Sequence, residues 1–241
     1  MAKPLSSSVN RGSKEIGGPA TVTQLNEFLL QSLEHEMGGV KIYETALKCV
    51  VNADLRKDWE GYLEQTRDHV KTLTAVCTKL GMQPDQDNPG RQVVRHIGSS
   101  LVRAMEMALQ AGKPDAAQLV ACECVVLAET KDHMDWELIA QCGEELPDNQ
   151  AAVLREAYEE VEDQEDEHLY HTKGWCRELW IEALGMKAVV PPPEEVKHVK
   201  TAIGAAKAQQ ARMLRSEPNR VTEIKPELKS ERPEKKGRAR R

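Results

Sequence analysis

The residues of this 241-residue chain best suited to metal chemistry are Glu165 and His168 in the run Glu165-Asp166-Glu167-His168, the pair Glu129 and His133, and the separate Glu36 and His69. Carboxylate oxygen combined with imidazole nitrogen suits iron or manganese, and also zinc. Residues three or four apart on a helix share a face, so both members of each close pair can point inward together. Thiolate chemistry fits less well. Cys49, Cys77, Cys122, Cys124, Cys142 and Cys176 are scattered with no CxxC pair, so local spacing builds neither a zinc ribbon nor a rubredoxin-type iron site. They read as reduced, mostly buried thiols.

Residues so far apart in sequence can act together only if helices converge on them. Four long segments carry apolar residues three and four apart, separated by breakers at Asn52-Ala53-Asp54, Gly81 to Gly90 and Leu146-Pro147-Asp148-Asn149. They predict helices over 23–51, 55–80, 115–144 and 149–185. The short first and last joints imply two antiparallel hairpins. The amphipathic stretch from Arg91 to Ala111 predicts a fifth helix in the long crossover between them.

The apolar seam of the first helix reads Leu25, Leu29, Leu33, Glu36, Val40, Tyr43, Leu47, which turns Glu36 inward. The second, Leu55, Trp59, Tyr62, Thr66, His69, Leu73, Val76, does the same for His69. The fourth, Leu154, Tyr158, Val161, Glu165, His168, Thr172, Trp175, Leu179, buries both members of its pair. The third offers two stripes. Leu119, Cys122, Val126, Glu129, His133, Trp136 and Ala140 would turn Glu129 and His133 inward, whereas Val120, Leu127, Met134 and Leu138 is the competing core face.

Depth gives an independent check, because residues equidistant from a hairpin turn lie level. Glu36 is level with His69, and Glu129 with Glu165, each pair roughly 25 Å from its turn at 1.5 Å per residue. If the hairpins pack in register, all six groups meet in one layer. Ionised groups buried there without compensation would cost several kcal/mol each. A bound cation supplies that compensation.

Composition agrees with an all-α chain: there are one Phe, four Tyr and four Trp, against abundant helix formers. The expected division is a disordered tail over 1–20, a helical bundle over 21–188, and a Pro-rich then basic, mostly disordered tail over 189–241. From Pro191 onward there are 14 Lys+Arg against 7 Asp+Glu, leaving 19 against 32 before it. The acidic run from Glu156 to Glu167 is mainly a solvated helix face, with Glu162 a reserve ligand. No run of about 18 apolar residues exists, and the N-terminus lacks the apolar centre of a signal peptide. A cytoplasmic protein with no membrane partner is the expectation.

With Glu36 on the first helix, His69 on the second, Glu129 on the third and ExxH at Glu165 to His168 on the fourth, the chain resembles the ferritin-like di-metal carboxylate superfamily over about residues 23 to 185. The stretch LEQTRDHVKTL is also similar to the second helix of the YciE/YciF-like stress-protein branch. The resemblance implies a ferritin-like four-helix bundle with a long crossover. It also implies iron, one or two ions with manganese the alternative, and oxygen or peroxide chemistry of the ferroxidase or peroxidase kind in oxidative-stress protection. Lacking a CxxC pair, the chain would need an external reductant, as the rubrerythrin-like bundles without a rubredoxin domain would. The second helix departs from the pattern, because Thr66 stands where the family has Glu. His133, Glu64 or Gln65 could complete the coordination, and a single-ion site stays open.

Blander readings stand beside these. A seam histidine is more often a hydrogen-bonded core residue than a ligand. His35, His96, His171 and His198 read as surface or packing residues, and Tyr43, Tyr62 and Tyr158 as core packing close to the layer. The segment VKHVKTAIGAAKAQQARMLR offers too little apolar surface to stand alone as a helix. The basic terminus KKGRARR could contact nucleic acid through phosphates but lacks aromatics for stacking. The rival function is a non-enzymatic helical scaffold that uses this tail as its contact. Assembly into a homo-oligomer is compatible with either reading.

Overall fold

A computed structural model describes residues 19–187 apart from Pro147. The tails over 1–18 and 188–241, including the basic terminus and its helix-prone segment, lie outside the described residues. Five helices account for most of what is described: α1 (Pro19–Cys49), α2 (Ala53–Lys79), α3 (Pro89–Gln110), α4 (Pro114–Glu145) and α5 (Asp148–Ala183). No strand occurs among the described residues, so the all-α class holds. The largest difference from the expected spans is at α1, which begins at Pro19 rather than 23.

The helix ends follow from local chemistry. Asn52 caps α2, its side chain accepting from the backbone N–H groups of Asp54 and Leu55, and Asn88 caps α3 through Arg91 N–H, with Pro89 in the first turn. At the end of α2, Gly81 takes a φ of +76°, and the N–H groups of Gly81 and Met82 close onto Thr78 O and Cys77 O. Gly185 ends α5 the same way, with Met186 N–H on Ile181 O. The left-handed residue in each motif satisfies carbonyls the helix leaves unpaired.

Helices α1, α2, α5 and α4 pack in a ring, each against two of the others. The crossover α3 runs parallel to α1 along its outer side. Its start is bolted down by Arg91, which reaches Glu34 Oε2 through Nε and Nη2 at 3.0 and 2.9 Å and carries Pro84 O and Gln86 O on Nη1. Arg95 adds Nε to Glu34 Oε1 at 2.7 Å. At the far end Gln118 of α4 accepts the N–H groups of Val51 and Asn52, tying the α1–α2 turn to the second hairpin.

The core falls into two apolar clusters. One holds Tyr43, Leu55, Trp59, Met105, Ala121 and Val125, with Trp175 and Leu179; the other holds Leu29, Leu33, Leu73, Trp136, Ile139, Leu154 and Val161. Each large side chain so buried contributes about 1.5–3 kcal/mol relative to exposure.

The α2 stripe is buried as its periodicity predicts, from Leu55 to Val76. The α4 stripe is turned by about one position. Its buried face runs through Ala121, Cys122, Val125, Ala128, Glu129, Asp132, Trp136 and Ile139. The competing stripe faces outward beyond Val120, which packs half-buried against the first cluster, with Leu127 62%, Met134 49% and Leu138 39% exposed. Contact with α1, α3 and α5 buries a wide arc of α4, and such an arc leaves a narrow stripe poorly marked in the sequence.

Candidate metal centre

Between the two apolar clusters lies a polar layer of Glu36 from α1, His69 from α2, Glu129 and Asp132 from α4, and Glu165 and His168 from α5. All are 0–4% exposed. Glu36 Oε1 and Glu165 Oε1 lie 3.4 and 3.0 Å from His69 Nδ1, and Glu129 Oε2 and Glu165 Oε1 lie 3.6 and 3.8 Å from His168 Nδ1. The two imidazoles stack with ring centroids 5.6 Å apart.

Each imidazole is held from behind. His69 Nε2 meets Gln164 Oε1 at 3.0 Å, and His168 Nε2 meets Gln65 Oε1 at 2.8 Å. Gln164 in turn donates its amide N–H to Glu160 O, which turns its oxygen to the ring. An acceptor there keeps a proton on Nε2, so that it is Nδ1, facing the carboxylates, that would give up its proton and present a lone pair to a metal, as in a ligating histidine. On the opposite side Trp136 Nε1–H donates to Glu36 Oε1 at 2.8 Å.

The inner atoms lack hydrogen-bond partners: Glu36 Oε2, Glu129 Oε2, Asp132 Oδ1, both oxygens of Glu165, and Nδ1 of His69 and His168. The His69 Nδ1–Glu165 Oε1 approach of 3.0 Å is an ion-pair distance without hydrogen-bond alignment. Buried polar atoms are nearly always satisfied, so this concentration of unsatisfied ones around a common point fits a cation.

The charges agree. Burial, and then the neighbouring carboxylates of Glu36, Glu165, Glu129 and Asp135, push the Asp132 carboxyl well above its ordinary range. Burial likewise drives Glu165 up to about 7, with His69 pulling the other way. Burial disfavours a charged His69, but the Glu165 and Glu36 carboxylates beside its Nδ1 outweigh it and hold the ring protonated up to about 11. Protons therefore stand where a metal's positive charge would.

Five of the six expected residues, Glu36, His69, Glu129, Glu165 and His168, are brought together. His133 is not. It sits on the outer seam of α4 and α5, 15% exposed, with Nε2 2.7 Å from Asp166 Oδ1 and Nδ1 3.8 Å from Glu137 Oε1. The turn of α4 that moves His133 out moves Asp132 in, one helical turn from Glu129.

Two sets of possible ligand atoms, each within 4.8 Å of one another, emerge: His69, Glu165, His168 and Glu36, Asp132, Glu165. The group could hold a metal ion. Asp132 was hidden among the charges of TKDHMD; its signal was its spacing, three after Glu129 and four before Trp136.

Thr66, where the resemblance would put a Glu, turns its hydroxyl to Tyr62 O at 2.8 Å. Tyr43 and Tyr62 flank His168, with centroids at 6.1 and 4.4 Å, while Tyr158 packs against the cluster of Leu154 and Val161. His171 is buried and contacts the Tyr62 hydroxyl through Nδ1. His35 is buried against Ala128 O, and His96 is exposed. No helix among the described residues is long and apolar enough to cross a membrane. No family model, curated protein or solved structure matches the sequence.

Proposed function

We propose that this chain is a ferritin-like metal-binding protein that holds iron, with manganese the alternative, among Glu36, His69, Glu129, Asp132, Glu165 and His168. The observation that carries the reading is the convergence of buried, unpartnered carboxylate oxygens and imidazole Nδ1 atoms from four helices. The ring of α1, α2, α5 and α4 with an external crossover is the arrangement a ferritin-like bundle requires.

Iron held by such donors supplies oxidation chemistry with O2 or peroxide, the basis for a role in oxidative-stress protection. The protein's own contribution is positional. Gln65 and Gln164 fix the imidazole tautomers, and Trp136 orients Glu36. The apolar clusters on either side exclude water, which strengthens each charge interaction in the layer. Sustained turnover draws electrons from an outside reductant.

Metal content of untagged protein by inductively coupled plasma mass spectrometry, beside His168→Ala, tests the reading. Iron or manganese bound by the wild type and lost in the variant is the expected result. No metal in either, even after anaerobic loading with ferrous ion, would refute it.

A further inference from the structure

We infer that residues 196–215 of this chain dock as a helix on the end of the bundle formed by the α1–α2 turn, the start of α4 and the end of α5. The apolar cluster around Trp59 and Val125 separates this end from the polar layer, so the inference does not depend on the metal-binding reading.

A cavity of about 360 Å3 opens at this end, with Val51, Asp115, Leu119, Leu179, Glu182 and Ala183 in its wall. The α1–α2 turn beside it is firmly held. Gln118 Oε1 accepts the N–H groups of Val51 and Asn52, and the Arg56 guanidinium donates to Leu47 O and Val50 O. With its backbone satisfied, the turn still presents the Val51 side chain to solvent, 51% exposed. Leu184 and Met186, just past the end of α5, are 64% and 47% exposed. Apolar side chains gathered around a preformed hollow mark a contact surface.

The position of the chain points to the occupant. Ala183, the last residue of α5, is in the cavity wall, and the described residues stop four positions later at Lys187. Eight residues, 188–195, with prolines at 191, 192 and 193, separate Lys187 from Val196. Proline-rich chain extends about 3.1 Å per residue, or roughly 25 Å here. Neighbouring helix axes are about 8–10 Å apart, so the segment can reach every part of this end.

In a helix, Val196, Val199, Ile203 and Ala206 follow steps of three and four and share one face. That stripe is too narrow to hold a helix by itself. Val51, Leu184 and Met186 are the apolar partner it lacks.

Charge selects this segment over a second copy of the bundle. Residues 196–215 contain five Lys and Arg and no Asp or Glu, whereas the chain before Pro191 has 19 Lys+Arg against 32 Asp+Glu. Asp115 and Glu182 on the cavity rim attract such a segment. Two bundles meeting through this end would set those carboxylates against their own kind.

Hydrogen exchange of the full-length chain at low salt, read by mass spectrometry, tests the docking. Backbone amides over 197–207 should exchange at least about tenfold more slowly than in a free peptide of the same sequence. Val51→Glu and Leu184→Glu alter exposed side chains, and each should abolish that protection while α1 to α5 stay as protected as in wild type. Ile203→Glu, on the segment itself, should do the same without touching the bundle. Light scattering should give one mass for all four proteins.

Unprotected amides over 197–207 in wild type would overturn the docking. Protection that survives Val51→Glu and Leu184→Glu would place the segment elsewhere, and protection lost on dilution together with a fall in mass would assign the surface to a second copy. Either result would overturn the inference.

Discussion

In the metal-free protein the layer should make stability fall as pH rises through neutrality. Glu165 is held up to about 7 against an ordinary carboxyl value of 4.5, so the folded chain keeps a proton that the unfolded chain has released. Stability then declines with pH between those values. From pH 5.5 to 8 this group alone accounts for about 2 kcal/mol, or roughly 4–8 °C in melting temperature for a chain of this size.

His69, held protonated up to about 11 against 6.5, acts in the same direction. Its raised value gives stability that is complete below 6.5 and lost as pH climbs toward 11. Asp132, also raised, adds to the fall. Glu34 is lowered, because Arg95 and Arg91 outweigh its burial, and its contribution is lost on acidification below that window. Thermal melts in chelator at pH 5.5 and 8, on wild type and Glu165→Gln, isolate the effect. The variant should lose about 2 kcal/mol of the pH dependence. A wild type that melts higher at pH 8, or a variant with the same pH slope, would refute the reasoning.

Removing the amide behind either imidazole, by Gln65→Leu or Gln164→Leu, should weaken metal binding 10- to 100-fold in competition with a chelator. Arg91→Ala leaves the buried Glu34 with Arg95 as its one remaining guanidinium partner, and urea denaturation should show a loss of about 3 kcal/mol. Leu127→Lys, on the outward face of α4, should change stability by less than about 0.5 kcal/mol, whereas a large loss would mean that the competing stripe is the core.

Periodicity made most of this legible. Glu36, His69, Glu165 and His168 lie on helices with one dominant apolar stripe, and level-matching about the turns placed Glu36 beside His69, as the 3.4 Å contact shows. On α4 that logic ran short. Three neighbouring helices bury it over a wide arc, and steps of three and four from Glu129 lead to Asp132 and His133 alike. Imidazole is the more distinctive ligand type, so sequence favours His133. Packing favours Asp132, because Trp136 and Ile139 set the helix rotation. The pairing of His69 with Gln164 and of His168 with Gln65 depends on the distance between α2 and α5, which no single helix encodes.

The walls around the layer are of unequal thickness. On the α1 side, α3 lies outside the bundle as a second skin, latched by Arg91 and Arg95. Across the ring, α2 and α5 make the slightest of the contacts among the four helices, and the half-buried amides of Gln65 and Gln164 are the hydrogen-bonded cover over the imidazoles. The layer therefore lies nearest to solvent on that side, behind those two side chains. An ion arriving from that side would meet imidazole nitrogen and carboxylate together, because Glu165 Oε1 and Glu36 Oε1 stand 3.0 and 3.4 Å from His69 Nδ1.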